Sequence, residues 1–325
     1  MIKLNNTFAI GCLVQWYEIE LVGEYVESLK ESISQVENKN SIFVDFTLTT
    51  NQDLEKIDGS IKMLEIKDRF HEMMKDLTVN YRITDELFTI ADYRRKFNDY
   101  YCERVNVLMW GETDSLIPTH TFQILDGLHE QVKENTPKYV SFFSTCKMWD
   151  ESWKPLEHPD FTDKPFIDGD TENWWSLRYN MKLDEMNTIN NKVEELDIRI
   201  ADSYKFNGCG LVISSDVIKS GVNIPRSVFF IHEDTAFLNS MIKMFGNSVP
   251  QYIIKNILLV HNRKHPQKRN YINGESGIEG KDIGAKRLTH DWYMRANKMC
   301  EHNAYNMFNQ SKTYTWRDVF DVQDR

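Results

Sequence analysis

Long hydrophobic runs are missing from this chain of 325 residues. No stretch approaches the roughly 20 apolar residues that a membrane-crossing helix needs. The apolar run from Phe8 to Val14 is short, and Gln15, Glu18 and Glu20 follow it closely, so no secretory leader is expected. Cysteine is sparse: Cys12, Cys102, Cys146, Cys209 and Cys300 are scattered and odd in number, with no C-x-x-C spacing. That excludes a disulfide framework or a clustered zinc site and predicts reduced thiols. Repeats, low-complexity tracts and Pro/Gly/Ser linkers are also missing. Net positive charge is missing too: the formal charge is -10, so the chain as a whole carries no basic nucleic-acid footprint. Together these absences predict a soluble, cytoplasmic protein with no membrane insertion.

What is present is aromatic and locally charged. The 18 Phe, 14 Tyr and 8 Trp supply large apolar groups that disordered chains lack. Between Gln251 and Cys300 ten Lys and Arg face four acids, so a basic segment sits in an acidic chain. It reads either as a solvated basic face or as a surface for phosphates.

The first half alternates strand and helix signals. Phe8 to Trp16, Ser41 to Leu48, Val79 to Ile83 and Val105 to Trp110 read as strands. Glu24 to Val36, Asp53 to Asp76 and Asp85 to Cys102 carry helical spacing between them. Such alternation predicts an α/β fold with a mostly parallel sheet flanked by helices, and ligands gather at the carboxyl ends of its strands. In the second half Tyr139 to Phe143, Gly210 to Ser214 and Ile253 to Val260 are strand-like. Thr235 to Phe245 is an amphipathic helix closed by Gly246, and Trp292 to Phe308 is a terminal helix. Leu183 to Ile200 is expected to carry some helix. Trp149 to Asn191 is a polar, aromatic segment long enough to be an inserted lid or binding loop, and its Trp149, Trp153, Trp174 and Trp175 read either as core packing or as a pocket for sugar or base.

Three short segments could carry chemistry. Strand Val105 to Trp110 runs into Gly111-Glu112-Thr113-Asp114-Ser115-Leu116-Ile117-Pro118. Two carboxylates there can share a hard divalent cation, or can be solvated acids in a turn. Phe229-Phe230-Ile231-His232-Glu233-Asp234 places two acids before a helix, where unpaired backbone N–H groups favour negative charge. Asp234 there reads as a simple N-cap. Val260-His261-Asn262-Arg263-Lys264-His265 ends a strand with two histidines and two cations. The cations suit a pyrophosphate or a nucleic-acid backbone, and a His at a strand end reads as structural.

The strand followed by Glu-Thr-Asp-Ser-Leu-Ile-Pro resembles the acidic metal motif of GT-A glycosyltransferases, especially family 2. The helix Ile90 to Asn98 is similar to that family's small-residue, Arg and Asn helix, and Glu233-Asp234 to its acidic pair before a helix. The resemblance implies a GT-A, Rossmann-like fold in one continuous domain. Residues 1–135 would be the nucleotide-sugar-binding half and 136–325 the acceptor-binding half. It implies transfer of a hexosyl or pentosyl group from a nucleotide-sugar, with UDP-sugar the commonest donor, and Mn2+ or Mg2+ as the ion. Asp234 would be the catalytic base with Glu233 beside it. Asp114, Glu112 and His261 would hold the metal, with His265 as a second candidate for the late ligand. Gln15, Asp92, Arg95, Glu112, Arg263 and Lys264 would lie near the donor. The acceptor stays open between a glycan, another small hydroxyl compound and a hydroxymethylated DNA base. A metal-dependent nucleotidyltransferase and a non-catalytic carbohydrate-binding protein are the readings from other classes. The first lacks its Gly-rich phosphate loop, because Gly11 stands alone.

Overall fold

The computed structural model describes residues 1–52, 62–86, 88–145, 181–261, 263–264 and 291–320. Strands from both halves of the chain join one sheet. They are β1 (Phe8–Gln15), β2 (Ile42–Thr49), β3 (Val79–Thr84), β4 (Val107–Trp110), β5 (Val140–Thr145), β6 (Ile198–Ile200), β7 (Val212–Ser214) and β8 (Gln251–Leu259). The order is β3-β2-β1-β4-β7-β5-β8-β6. The β1/β2, β2/β3, β1/β4 and β5/β8 pairs are parallel. Strand β7 runs antiparallel between β4 and β5, and β6 antiparallel on β8. The sheet is therefore mostly parallel and the fold α/β, as expected from the alternation.

The described helices are α1 (Ile19–Ser34), α2 (Met63–Met74), α3 (Ile90–Tyr101), α4 (Thr121–Val132), α5 (Leu183–Asn190), α6 (Ser215–Lys219), α7 (Glu233–Phe245), α8 (Asp291–Asn306) and α9 (Trp316–Phe320). They cover both faces, and β1 shows why the strands read as continuous apolar runs. Phe8, Ile10, Cys12 and Val14 join a core with Val22, Tyr25 and Leu29 of α1 and Phe70 of α2. Ala9 and Leu13 point the other way, into a second core with Tyr93 and Phe97 of α3 and Phe237 of α7. A strand buried on both faces has no polar side to alternate with.

Some elements differ from the sequence reading. The helix expected somewhere within Leu183 to Ile200 is α5, which stops at Asn190, and Ile198–Ile200 forms edge strand β6. Helices α4, α6 and α9 were not expected. The helix predicted from Thr235 begins two residues earlier, at Glu233, behind His232 in a left-handed conformation (φ 65°). Its end at Gly246 is as expected, with φ 60° there. The aromatic segment around Trp149, Trp153, Trp174 and Trp175, like His265, lies outside the described residues.

Gly11 shows how closely α3 approaches the sheet. A Cβ built there would lie 2.6 Å from two Phe97 ring carbons and from the Tyr93 hydroxyl. Side chains of α3 thus fill the space beside this strand position. We expect Gly11→Ala to destabilise the fold by about 1–3 kcal/mol through overpacking, read as a lower urea midpoint with an unchanged slope.

Candidate active site

The carboxyl ends of β1 and β4 and the start of α7 define one region, and Arg94 lies at its centre. Arg94 belongs to α3 and is 2% exposed. It occupies the same inward stripe as Ala91 and Asn98, three before and four after it. Its guanidinium stacks over the Trp110 ring at 4.7 Å. Asn98 accepts the Trp110 indole N–H at 2.9 Å, fixing that ring to the same helix. One terminal nitrogen of Arg94 donates to Glu112 and the other to Glu233, each at 2.5 Å. The two acidic segments, 121 positions apart in the chain, are thus joined by a single side chain.

The close approach depends on Gly208. A Cβ at that position would collide with the Arg94 guanidinium and lie 3.4 Å from the Asp234 Cβ. Gly210, two residues on, has φ 65°, and its N–H bonds the Trp110 carbonyl at 3.0 Å. The 208–211 segment is thereby tied to the end of β4.

Burial separates the two neighbouring acids of α7. Glu233 is 6% exposed and turned onto Arg94, whereas Asp234 is half-buried. Asp234 Oδ1 accepts the Thr235 N–H at 2.7 Å. Burial pushes the Glu233 carboxyl up to about 7, with Arg94 pulling it down and Asp234 adding to the rise. For Arg94, burial works against the charge, but the carboxylates of Glu112, Glu233 and Asp234 outweigh it and hold the guanidinium above its ordinary value.

A second group gathers around Asp114. Leu116 and Val260 form an antiparallel bridge, which draws the chain after β8 against the loop after β4. His261 Nε2 then lies 3.7 Å from Asp114 Oδ1, and the Arg263 N–H donates to the Asp114 carbonyl at 2.8 Å. The Arg263 side chain is 6% exposed and pairs with Glu24 of α1. Its Nε and Nη1 are buried and have no hydrogen-bond partner among the described residues. Lys264 reaches the same Glu24 at 3.4 Å and has φ 50°.

The Asp114 carboxylate and the His261 imidazole are a donor pair suited to a divalent ion. Among the described residues no set of three or more His, Cys, Asp or Glu surrounds one point. Ions such as Mg2+ are commonly held by one or two carboxylates, with substrate phosphates and water completing the shell. The residues present therefore fit an ion that arrives with a diphosphate. The unpartnered N–H groups of Arg263 beside Asp114 suit that diphosphate.

No protein-family model and no curated protein sequence matches the chain. Solved structures are similar to it, among them the following two. One, S. aureus TarS 1-349, aligns over 98% of this chain and 75% of its own length, with TM-score 0.45 and 10% identity. The other is the mannosyltransferase PcManGT from Pyrobaculum calidifontis, in complex with GDP-Man and Mn2+. It aligns over 93% of this chain and 76% of its own, with TM-score 0.45 and 11% identity.

The remaining expected residues fall in different places. Gln15 closes β1, and its side chain accepts from the Thr49 hydroxyl at 2.6 Å, joining the ends of β1 and β2. Asp92 accepts from the Thr89 hydroxyl at 2.9 Å, within the cap of α3, and pairs with Arg95 at 3.0 Å. Arg95 donates to the carbonyls of Ile224, Pro225 and Val228. Its guanidinium thus fastens α3 to the 224–228 loop. The adjacent Arg94 is the cation among the acids. A cavity of about 290 Å³ lies elsewhere, between β2, β3 and the other face of α3, lined by Asp45, Arg82, Lys96 and several tyrosines.

Removing Arg94 would leave Glu112 and Glu233 facing each other without a cation. We expect Arg94→Met to cost about 3–5 kcal/mol, with part regained in the Arg94→Met, Glu233→Gln double variant, both by urea denaturation. The raised Glu233 value sets a sign for pH. The native state keeps this proton where an unfolded carboxyl, near 4.5, has lost it. Stability from this group is fullest below about 4.5 and is lost as pH rises toward 7. Metal-free Glu233→Gln should therefore gain stability relative to the parent chain across that window, and a flat difference would exclude the shift.

Proposed function

We propose that the chain transfers a sugar from a nucleoside-diphosphate sugar to a hydroxyl acceptor, with inversion at the anomeric carbon. The observation that carries this reading is the Arg94 bridge. It brings the Glu112-x-Asp114 segment and the Glu233-Asp234 pair to one region at the carboxyl edge of the sheet.

The acids divide the work by orientation. Glu233 is committed to Arg94, so Asp234, with its greater exposure, is the group available to an acceptor. Its carboxylate takes the proton of the acceptor hydroxyl as that oxygen bonds to the anomeric carbon. The bond from that carbon to the diphosphate oxygen breaks, and the nucleoside diphosphate leaves with the bonding pair. Asp114 and His261 would hold the divalent ion, whose positive charge would offset the charge growing on the leaving diphosphate. Arg263 offers two N–H donors to the same diphosphate. Glu112, on Arg94, fixes the loop that presents Asp114. A uridine diphosphate sugar with Mn2+ or Mg2+ is the donor combination we favour, on the resemblance of the acidic motif. Gln15 and Thr49, at the joined ends of β1 and β2, are the positions we assign to the base of the nucleotide.

The test uses product analysis and thermal shift on the full chain with UDP-sugars and Mn2+. Asp234→Asn should lower turnover by about 10²–10⁴-fold and leave the donor-induced thermal shift intact. Asp114→Ala should abolish the Mn2+-dependent part of that shift. Full turnover in Asp234→Asn would falsify its role as base.

A further inference from the structure

Helices α8 and α9 build a small aromatic cluster apart from the two main cores. Phe229 and Phe230, just before the Glu233-Asp234 pair, pack with Trp292 and Tyr293 of α8 and Trp316 of α9. Trp316 sits 4.7 Å from the Phe229 ring and 5.6 Å from that of Phe230. Phe320 lies nearly parallel to Trp316, at 5.9 Å and 16°, and is 61% exposed. The outer end of the cluster is thus a stacked pair of rings with one face in water, on a helix too short to stand alone.

Two contacts fix this cluster near the acids. The Phe229 carbonyl accepts the Thr89 hydroxyl at the N-cap of α3. Helix α3 follows β3, so its N-terminus lies at the carboxyl edge of the sheet, the edge where β4 presents Glu112 and Asp114. His232, in its left-handed conformation directly before Glu233, bonds through Nε2 to Asn297 of α8 at 3.1 Å. Helix α8 is therefore attached to the turn that aims Asp234.

We propose that this aromatic ledge is the acceptor subsite, and that the acceptor is a neutral carbohydrate whose C–H face lies on the Trp316–Phe320 pair. The inference rests on the reading of Asp234 as base. The chemistry that favours a neutral sugar is the charge around the rings. Arg295 is spent on the Val319 carbonyl and Lys312 on Asp318. From Asp291 to Phe320 four cations face three acids. A polyphosphate backbone needs a surplus of free cations along its track, and this segment supplies little. Rings that present an apolar face beside polar groups suit a ligand with one C–H face and hydroxyls around its rim.

The test is intrinsic tryptophan fluorescence of the full chain titrated with neutral disaccharides to tetrasaccharides of glucose, mannose and galactose, with a 12-base-pair DNA duplex as competitor. The donor-induced thermal shift is read in parallel. One or more saccharides should quench the parent chain. Phe320→Ala should weaken that binding about 3- to 10-fold, the worth of one stacked ring. Trp316→Ala should weaken it further and Trp316→Tyr restore most of it, while the donor shift persists in all three. Quenching by no saccharide, equal affinity in Phe320→Ala, or displacement of the sugar by the duplex overturns the inference. A parent chain with no donor shift that still loses saccharide binding in Phe320→Ala leaves the ledge standing and removes sugar transfer instead.

Discussion

A buried arginine between two carboxylates is the constraint on which the rest of the site depends. Taking a guanidinium out of water is expensive, and the cost is met only where carboxylates approach with good geometry. Arg94 obtains that geometry from chain segments that share no local structure, the loop after β4 and the first turn of α7. Neither can shift without leaving charge unpaired in a dry environment. Trp110 behind the guanidinium and Gly208 beside it remove the remaining freedom. Carboxyls also outnumber the cation: Glu112, Glu233 and Asp234 surround Arg94, and burial with the neighbouring acid raises Glu233 toward its neutral form. A divalent ion beside Asp114 would favour the charged forms of these groups.

Arg263 is held by a different logic. Its backbone N–H is pinned to Asp114, and its guanidinium is buried and pairs with Glu24. Burial lowers its affinity for the proton, and Glu24 opposes that effect. An arginine with two idle buried donors has an unmet hydrogen-bond demand that an oxyanion can meet. Lys264 beside it occupies a backbone region that side chains with a Cβ rarely adopt. The end of β8 is therefore a place where the chain tolerates strain and unsatisfied polarity together, as functional positions commonly do.

Much of the architecture was legible in the sequence because both-faced burial leaves short apolar runs between helical stretches, and β1, β2 and β4 are such runs. The acids were legible for a related reason: Glu112 and Asp114 interrupt an apolar run at its end, where a sheet edge must lie. Antiparallel β7 was not legible, since three residues carry no direction. The part of Arg94 was hidden by its neighbour. Arg94 and Arg95 are identical in type, and only helical phase separates them. Ala91, Arg94 and Asn98 fall on one inward stripe, so a cation there needs carboxylate partners, whereas Arg95 falls on the flank and takes carbonyls. Reading the stripe would have distinguished them. The Trp316–Phe320 stack left no periodic signal in so short a helix.

Helical phase also governs the acidic pair. Consecutive residues on a helix are set about 100° apart, so Glu233 and Asp234 cannot both face Arg94. The longer side chain, at the first helical position, reaches inward and becomes part of the scaffold. The shorter one emerges toward solvent with one oxygen held by the N–H that follows it. His232 sets this phase, because its left-handed turn fixes where the helix begins. Which of the two acids faces outward is thus determined by where the helix starts as much as by which residues it contains.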